Sequence, residues 1–280
     1  MQLRKRKFDT HKGDYGYVFV LGGSPGLTGA VCLCANAALR MGAGLIKVGI
    51  PQSLNSIFEA KLTEVMSMPL YDVSGYLSER AFVQIGELDE KVDVYAIGCG
   101  ASLHHSTKKL ILKVISQIEK PLVVDADGIN SLAGCLAVLK KRKTKNLVLT
   151  PHLGEFSRLL KLDRATIKRR RKELLKQFAL KYNLTLVLKG YRTLVSDGRR
   201  LFENNSGNPG MATAGMGDVL TGIIAGLLAQ GLESFEAAQL GVYLHGLAAD
   251  LAAREKTENC LIASDVIDYL PKAIKKLRKS

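Results

Sequence analysis

Short, continuous apolar runs alternate with longer helical segments along most of this chain. Strands that are apolar on both faces are typical of a parallel sheet with helices covering both sides. Six runs have this character: 17–21, 45–50, 92–97, 121–124, 146–149 and 185–188. The helical candidates are 29–41, 104–118, 155–161, 166–182, 218–230 and 235–254. We therefore predict an α/β fold with a mostly parallel central sheet flanked by helices.

One stretch departs from this alternation. Residues 192–205 contain two short apolar runs on either side of Ser196-Asp197-Gly198, which predicts an antiparallel hairpin at one end of the sheet. The composition is globular, with 47% hydrophobic and 24% charged residues, and no Pro/Ser-rich linker interrupts the chain. We therefore predict one domain, residues 1–280.

The net charge of +14 is compatible with three kinds of protein: a nucleic-acid binder, a binder of polyanionic small molecules, or a soluble protein with a basic surface. The basic residues cluster at 4–7, 140–145, 168–172 and 272–279. No aromatic residues are interspersed with them, so a stacking platform for single strands is not indicated. Nucleic-acid binding is disfavoured, and 168–172 is predicted to be a solvated stretch where a helix begins.

The chain shows no membrane or export pattern. The basic N-terminus is not followed by the apolar region of a signal peptide, and the apolar run 219–229 is too short to span a bilayer. The five cysteines lack the spacing of a metal site and fit a reducing compartment. We predict a cytoplasmic protein with no membrane contact.

Small, polar or charged residues follow most of the predicted strands. These strand ends are Gly22-Gly23-Ser24, Gly98-Cys99-Gly100, Asp125-Ala126-Asp127-Gly128, Thr150-Pro151-His152 and Lys189-Gly190. Each segment alone could be only a turn. Because an open α/β sheet binds ligands at the carboxyl ends of its strands, together they predict a ligand crevice.

The segment 208–218 is rich in glycine, ends in Asp218 and leads into an apolar helix. Glycines and a helix N-terminus leave N–H groups free, which makes a cradle suited to phosphate. A carboxylate there is unsuited to simple anion binding but fits a base that takes a proton from an attacking hydroxyl. The alternative is that Asp218 only caps the helix. Gly222 and Gly226 would let this helix approach a neighbour closely, and the expected neighbour is 235–254.

Several other polar residues have two interpretations. Lys189 can reach an anion, with Thr193 adding a hydroxyl, or it can be a surface lysine at the start of the hairpin. His152 can hydrogen-bond a ligand or hold its loop, and the neighbouring Glu155 can act on a metal-bound water or cap a helix. Asp125 and Asp127 are ligand contacts, turn formers or loop anchors. His104 and His105 fit a helix start, and His245 fits a core residue with its hydrogen bonds satisfied.

Together, several segments resemble the NAD(P)H-hydrate dehydratases, which have a ribokinase-like fold. The matching segments are His11-Lys-Gly-Asp-Tyr-Gly16, Gly22-Gly-Ser24, Thr28-Gly29-Ala30, Arg40-Met-Gly-Ala-Gly44, Asp125-Ala-Asp-Gly-Ile-Asn130, Thr150-Pro-His-Leu-Gly-Glu155, Lys189-Gly190 and Asn208-Pro-Gly to Gly217-Asp218. They span nearly the whole chain in the expected order. The segment that ends in Asp218 is shared with other ribokinase-like kinases, whereas Pro-His-x-Gly-Glu and the His-Lys-Gly start are typical of the dehydratases.

The resemblance implies a repair reaction on hydrated NADH or NADPH (NADHX and NADPHX). A phosphoryl group passes from ADP or ATP, with Mg²⁺, to the ring hydroxyl of the S epimer, and phosphate then leaves. By resemblance, Asp218 is the base. Ala30, Gly100, His152 and Asp218 contact the hydrated dinucleotide. Lys189, Gly190, Tyr191, Arg192, Thr193 and Gly217 hold the nucleotide, and metal ligands are not assigned.

The chain departs from the family pattern at Gly98-Cys99-Gly100, where the family usually has Gly-Pro-Gly; the cysteine loosens the loop but both glycines are kept. It also lacks the fused epimerase domain of some members, which implies a separate epimerase partner and favours the ADP-using type. The family implies a homotetramer. The alternatives left open are a ribokinase-like kinase for a vitamin or other alcohol and a basic protein that binds nucleotides or nucleic acid.

Overall fold

The computed structural model describes residues 6–278, so Arg4 and Lys5 of the first basic cluster and Lys279 of the last lie outside it. Eleven strands are present in this part of the chain. They are β1 Tyr17–Leu21, β2 Leu45–Pro51, β3 Met66–Leu70, β4 Asp72–Val73, β5 Tyr76–Leu77, β6 Val94–Ile97, β7 Leu122–Val124, β8 Leu147–Leu149, β9 Thr185–Leu188, β10 Leu194–Ser196 and β11 Leu201–Glu203.

Nine of these strands form one sheet in the order β11-β10-β9-β8-β7-β6-β1-β2-β3, and β4 pairs with β5 in a small separate hairpin. Within the nine-stranded sheet, the seven neighbouring strands β9, β8, β7, β6, β1, β2 and β3 run parallel. The strand β10 is antiparallel to both of its neighbours, β9 and β11. The mostly parallel sheet and the antiparallel hairpin at one end are confirmed.

Helices cover both faces of the sheet. They are α1 Thr28–Arg40, α2 Asn55–Lys61, α3 Ala81–Gly86, α4 His105–Gln117, α5 Ala126–Leu132, α6 Ala137–Lys141, α7 Leu153–Leu160, α8 Arg164–Arg169, α9 Arg171–Tyr182, α10 Met216–Ala229, α11 Ser234–Lys256 and α12 Ala263–Leu277. None of the helices between residues 6 and 278 is long and apolar enough to cross a membrane.

Alternate residues of each strand enter two separate cores. In β1, Val18 and Val20 pack with α1, α10, α11 and α12, whereas Phe19 and Leu21 pack with α4, α7 and α9 on the other face. Successive strand side chains point to opposite faces, so a strand buried on both faces must be apolar throughout. This explains why the central strands were visible in the sequence as continuous apolar runs.

Two predictions about helices were wrong. The single helix predicted over 166–182 is two helices, because the backbone of Arg170 leaves the helical region (φ −114°, ψ 22°). The close neighbour of Gly222 and Gly226 is α1 rather than 235–254: Cβ atoms added to these glycines would lie 2.0 Å from the Cys34 carbonyl oxygen and 2.7 Å from that of Ala38. The missing side chains let the two helix backbones touch.

The strand order locates a switch point in the sheet. From β1 the chain moves outward through β2 to β3, and it then returns to place β6 on the other side of β1. Open α/β sheets bind ligands in a crevice at the carboxyl ends of the strands on either side of such a switch point, which here are β1 and β6.

Candidate active site

The two loops at the switch point are hydrogen-bonded to each other. The Gly23 N–H donates to the Cys99 carbonyl oxygen at 3.1 Å, and the Ser24 hydroxyl donates to the Gly100 carbonyl oxygen at 2.8 Å. Gly100 has φ +59°, and a Cβ added to it would lie 3.1 Å from the Cβ of Ala30. The structure thus brings Gly100 and Ala30 together at the edge of the crevice.

The helix α10 begins beside these loops and carries Asp218 in its first turn. Its N-cap is Gly215, whose φ of +87° is accessible to glycine at little cost, and Asp218 is the third residue of the helix. The capping alternative is not realised, because within residues 6–278 no helix amide donates a hydrogen bond to the Asp218 carboxylate. The first N–H groups of α10 have no acceptor within the helix and favour an anion.

A buried ion pair lies next to this helix start. The Asp125 side chain is 2% exposed; one carboxylate oxygen lies 2.5 Å from the Lys189 Nζ, and the other accepts a hydrogen bond from the Thr221 hydroxyl at 2.9 Å. Burial raises the pKa of Asp125, but the charge and hydrogen bond of Lys189, together with hydrogen bonds from Thr150 and Thr221, outweigh this effect. The pKa is therefore lowered and the carboxylate stays ionised. Asp125 is thus an anchor between β7, β9 and α10.

Lys189 therefore has a protein carboxylate as its direct partner, and its side chain is 17% exposed. Burial lowers its pKa, whereas Asp125 and Glu155 raise it by more, so the ammonium stays charged. The Lys189 ammonium also lies beside the start of α10, because a Cβ added to Gly217 would lie 3.1 Å from the Lys189 Nζ. The surface-lysine alternative is excluded by this geometry.

The half-buried Asp218 carboxyl has the most informative electrostatic environment in the site. Burial, together with the nearby Asp125 charge, raises the pKa of Asp218 to about 7, although a hydrogen bond from Cys99 and the charge of Lys189 oppose the rise. A group with a pKa near neutrality can both lose and gain a proton at physiological pH. The arrangement therefore suits proton abstraction from a ligand bound in the crevice.

His152 and Glu155 begin α7 with reciprocal capping bonds. The Nδ1 of His152 accepts hydrogen bonds from the N–H groups of Gly154 (2.9 Å) and Glu155 (3.2 Å), while Glu155 accepts from the His152 N–H at 2.7 Å. The loop-holding role of His152 and the capping role of Glu155 are therefore present. Only the Nε2 of His152 is available to a ligand, and it lies 3.4 Å from the Glu155 carboxylate.

Burial disfavours the charged form of both members of this pair. Burial, followed by the charge of Lys189, lowers the pKa of His152, whereas burial raises the pKa of Glu155 to about 7. The loop also lies beside the end of β9: His152 and Lys189 form a parallel bridge, in which the Lys189 N–H donates to the Pro151 carbonyl oxygen at 2.8 Å.

The segment after β9 is an exposed loop. The Thr193 hydroxyl donates to the Gly190 carbonyl oxygen at 2.9 Å, so it stabilises its own turn. Tyr191 is 85% exposed, and Arg192 has φ +52° and lies 3.6 Å from a carboxylate oxygen of Glu203. Of the five residues predicted to hold the nucleotide here, only Lys189 contacts the buried centre.

Sequence reasoning missed three features of the site. Thr221 was not singled out, although it is three residues after Asp218 and hence on the same helix face. Cys99 was noted as part of a strand end and as a departure from the family, but its thiol was not expected to be a partner of Asp218. His245 was expected to have all its hydrogen bonds satisfied; it is buried and bonded to the Met216 backbone, but its Nε2 has no partner in the described part of the chain.

Other polar residues hold the loops in place. An Asp127 carboxylate oxygen accepts a hydrogen bond from the Ser102 N–H at 2.8 Å, which confirms the anchor alternative for this residue. His104 and His105 lie at the start of α4, as predicted, and the His104 ring stacks on Tyr76 with 4.8 Å between ring centroids. Neither histidine takes part in the centre around Asp218.

The donor atoms around Asp218 decide whether the protein itself can hold the Mg²⁺ that the family resemblance implies. Within residues 6–278, one group of possible donors lies mutually within 4.8 Å: Cys99, Asp125 and Asp218. This set does not fit a resident Mg²⁺, because that ion prefers oxygen ligands and Asp125 is already bonded to Lys189 and Thr221. We therefore assign no metal ion to the protein itself.

Comparison with known proteins defines the class and then the family. The chain matches the family model for NAD(P)H-hydrate dehydratase over residues 18–272. A bifunctional NAD(P)H-hydrate repair enzyme of Moorella thermoacetica is 46% identical over 99% of this chain and 53% of the relative. An ADP-dependent (S)-NAD(P)H-hydrate dehydratase of Neisseria meningitidis is 37% identical over 89% of this chain and 81% of the relative.

The structure agrees with the sequence comparison. The ADP/ATP-dependent NAD(P)H-hydrate dehydratase of Bacillus subtilis, co-crystallised with ATP and Mg²⁺, superposes with a TM-score of 0.83 at 30% identity, covering 98% of this chain and 94% of the other. The sheet, its helical layers and the glycine-rich start of α10 thus define a ribokinase-like protein. Within that class, the chain belongs to the NAD(P)H-hydrate dehydratase family. It spans about half the length of the bifunctional relatives.

Proposed function

We propose that this chain dehydrates the S epimer of hydrated NADH and NADPH at the expense of ADP or ATP. The observation that carries the proposal is Asp218: a half-buried carboxylate in the first turn of α10, with a pKa of about 7, at the switch point of the sheet. Family membership supplies the substrate class. The name of the meningococcal relative supports ADP as the phosphoryl donor.

The chemistry needs one base and one anion cradle. Asp218 takes the proton of the ring hydroxyl, whose oxygen then bonds to the terminal phosphorus of ADP while the bond to the leaving AMP oxygen breaks. The phosphorylated ring next loses phosphate, which departs with the electrons of the C–O bond, and a ring proton is released. The balanced result is NADH, AMP and phosphate.

The same proposal assigns the remaining site residues. Ala30, Gly100 and His152, with Asp218, contact the hydrated dinucleotide. The assignment is supported by the proximity of Ala30 to Gly100 and by the bridge between His152 and Lys189. Gly217 and Lys189 hold the nucleotide phosphates at the start of α10. Gly190, Tyr191, Arg192 and Thr193 form the exposed side of the nucleotide site. Mg²⁺ enters as a companion of the nucleotide phosphates, since no donor set that fits this ion is found within residues 6–278.

We infer four properties of the whole protein on the same footing. Residues 1–280 act as one domain, the enzyme works in the cytoplasm, and it assembles as a homotetramer, as the family resemblance implies. An epimerase supplies the S epimer, and the bifunctional relatives of about twice this length support such a pairing. Size-exclusion chromatography with light scattering tests the tetramer directly.

The function is tested by mixing the purified full chain with both epimers of hydrated NADH, ADP and Mg²⁺. We expect NADH absorbance, AMP and phosphate to rise in equal amounts while the R epimer persists. Two outcomes contradict the proposal. A kinase for a vitamin or other alcohol would make a stable phosphate ester with such alcohols and regenerate no NADH, and a basic binding protein would consume no nucleotide. The Asp218→Asn variant is the matched control for a contaminating activity.

A further inference from the structure

The thiol of Cys99, in the loop after β6, has no role in the chemistry proposed above. It lies in the turn after β6, between Gly98 (φ +110°) and Gly100 (φ +59°), and is fully buried. The backbone of this turn is fixed, because the Gly98 N–H donates to the Leu21 carbonyl oxygen and the Cys99 carbonyl oxygen accepts from Gly23. The side chain therefore has a defined direction.

Three side chains lie near the thiol. Its Sγ lies within 4.8 Å of carboxylate oxygens of both Asp218 and Asp125, and it is hydrogen-bonded to the thiol of Cys34 on α1. Asp125 already has Lys189 and Thr221 as partners. The carboxylate that still needs a donor from the protein is therefore that of Asp218.

Other chemistry for this thiol is excluded by its surroundings. The hydrogen bond with Cys34, burial and the nearby carboxylates raise the pKa of Cys99 well above its usual value, so it stays a neutral thiol. A neutral thiol without solvent access is neither a nucleophile nor a redox sensor. A thiol can donate one weak hydrogen bond, and an ionised carboxylate is the best acceptor within reach.

We propose that Cys99 is a positioning residue for Asp218: its S–H donates a hydrogen bond that orients the carboxylate and stabilises its ionised form. This inference rests on the proposed function only in that the proposed function makes Asp218 the base. The contact itself is a property of the protein without substrates.

The charges that face Asp218 determine the sign of the effect. Burial and two acidic neighbours disfavour its ionised form, whereas Lys189 and the Cys99 thiol favour it. Removing the thiol therefore raises the pH at which Asp218 ionises. The titratable groups that surround this centre are Asp125 and Asp127 from the β7–α5 segment, Lys189 after β9, Glu155 on α7, Cys34 on α1 and His245 on α11.

The test is a carbon NMR titration of carboxyl-labelled protein without ligands, in which the Asp218 signal is identified by its loss in Asp218→Asn. We expect Cys99→Ala to raise the midpoint of the Asp218 titration by about one pH unit. Cys99→Ser keeps a donor of similar size, so its midpoint should equal or fall below that of the wild type. The acid limb of the pH dependence of kcat should move in the same direction.

Cys32→Ala is the matched control, because it removes a different buried thiol, which lies on α1 and is not part of this centre. An unchanged Asp218 midpoint in Cys99→Ala, or an equal shift in Cys32→Ala, overturns the proposal. If Cys99→Ala does not fold, a Cys99→Ser midpoint above that of the wild type overturns it as well. A shifted midpoint in a protein without dehydratase activity would leave this contact established and refute only the proposed function.

Discussion

The proposed chemistry depends on one carboxylate whose ionised form the fold disfavours. Asp218 is half-buried near the charged Asp125, and both effects raise its pKa from an ordinary value to about 7. For a carboxyl group raised in this way, ionisation opposes folding. The cost is absent below the pKa of the unfolded chain, grows as the pH rises and is complete above about 7.

Asp218→Asn should therefore separate stability from activity. We expect turnover to fall by ~100- to 10,000-fold, as is typical when a general base is lost, while nucleotide binding is retained. The melting temperature should rise relative to the wild type, and by more at about pH 8 than at about pH 5. Steady-state kinetics and calorimetry measure both. A variant with a third of wild-type turnover would end the role of Asp218 as the base.

Glu155→Gln is the control for this prediction, because Glu155 also has a pKa of about 7. Glutamine retains an acceptor for the His152 N–H. If Asp218 is the base, the acid limb of kcat near pH 7 persists in Glu155→Gln. Its disappearance there would assign that limb to Glu155 instead.

His152 can be tested with two substitutions that divide its roles. Asparagine preserves the N-cap of α7 but lacks the Nε2, whereas alanine lacks both. If the Nε2 binds the hydrated dinucleotide, both variants should raise the KM for that substrate by a few-fold to about tenfold. Only His152→Ala should also lose about 1 kcal/mol of stability. Normal substrate KM in His152→Asn would leave His152 with the capping role alone.

At the scale of elements, the start of α10 is a close fit to its neighbours. A Cβ added to Gly217 would lie 3.1 Å from the Lys189 Nζ and 3.3 Å from an Asp125 carboxylate oxygen. Such distances are tight but not forbidden, because the lysine can shift. Alanine also favours helix by about 1 kcal/mol over glycine.

Gly217→Ala should therefore fold normally and bind nucleotide poorly. We expect a melting temperature within a few degrees of the wild type and an ADP affinity lowered about tenfold or more, since the methyl group covers the phosphate cradle. Gly86→Ala on α3 is the control, because its added Cβ meets no atom within 4 Å. Isothermal titration measures both, and undiminished ADP affinity in Gly217→Ala would remove Gly217 from the nucleotide site.

The predictability of each element follows its burial. The central strands were found because both faces are buried, whereas the edge strand β3, Met66–Leu70, was missed because most of its residues are at least partly exposed. The helix α12 was missed although it is strongly two-faced; it contains Pro271, a residue that normally breaks helices. The break at Arg170 could not be predicted, because the sequence around it contains no glycine or proline.

The site itself could be predicted only in part, because its contacts join distant parts of the chain. The sequence singled out Asp218, Lys189 and the strand ends. The partners were not predictable, since Asp125 is 64 residues from Lys189 and 96 residues from Thr221. No local pattern specifies such pairings; they arise when parallel strands bring their carboxyl ends to one edge. The assignments of Ala30, Gly100 and His152 to substrate stay predictions.

At the scale of the whole molecule, the net charge of +14 is expected to attract the polyanionic substrates of the proposed reaction. A basic protein attracts anions over long distances, and salt screens this attraction. We expect kcat/KM for ADP to fall several-fold between low and about physiological ionic strength. Binding of the less charged AMP is the control and should depend less on salt. Equal salt dependence for ADP and AMP would contradict electrostatic attraction by the whole molecule.

The central claim is that the ring hydroxyl of the hydrated dinucleotide attacks phosphorus after Asp218 removes its proton. Substrate prepared with heavy oxygen in that hydroxyl tests this directly, because the oxygen then leaves with phosphate. Mass spectrometry of the released phosphate measures the outcome. The account predicts one heavy oxygen in each phosphate formed by the wild type. Unlabelled phosphate, with the label in water, would mean that water cleaves the nucleotide and would contradict the account.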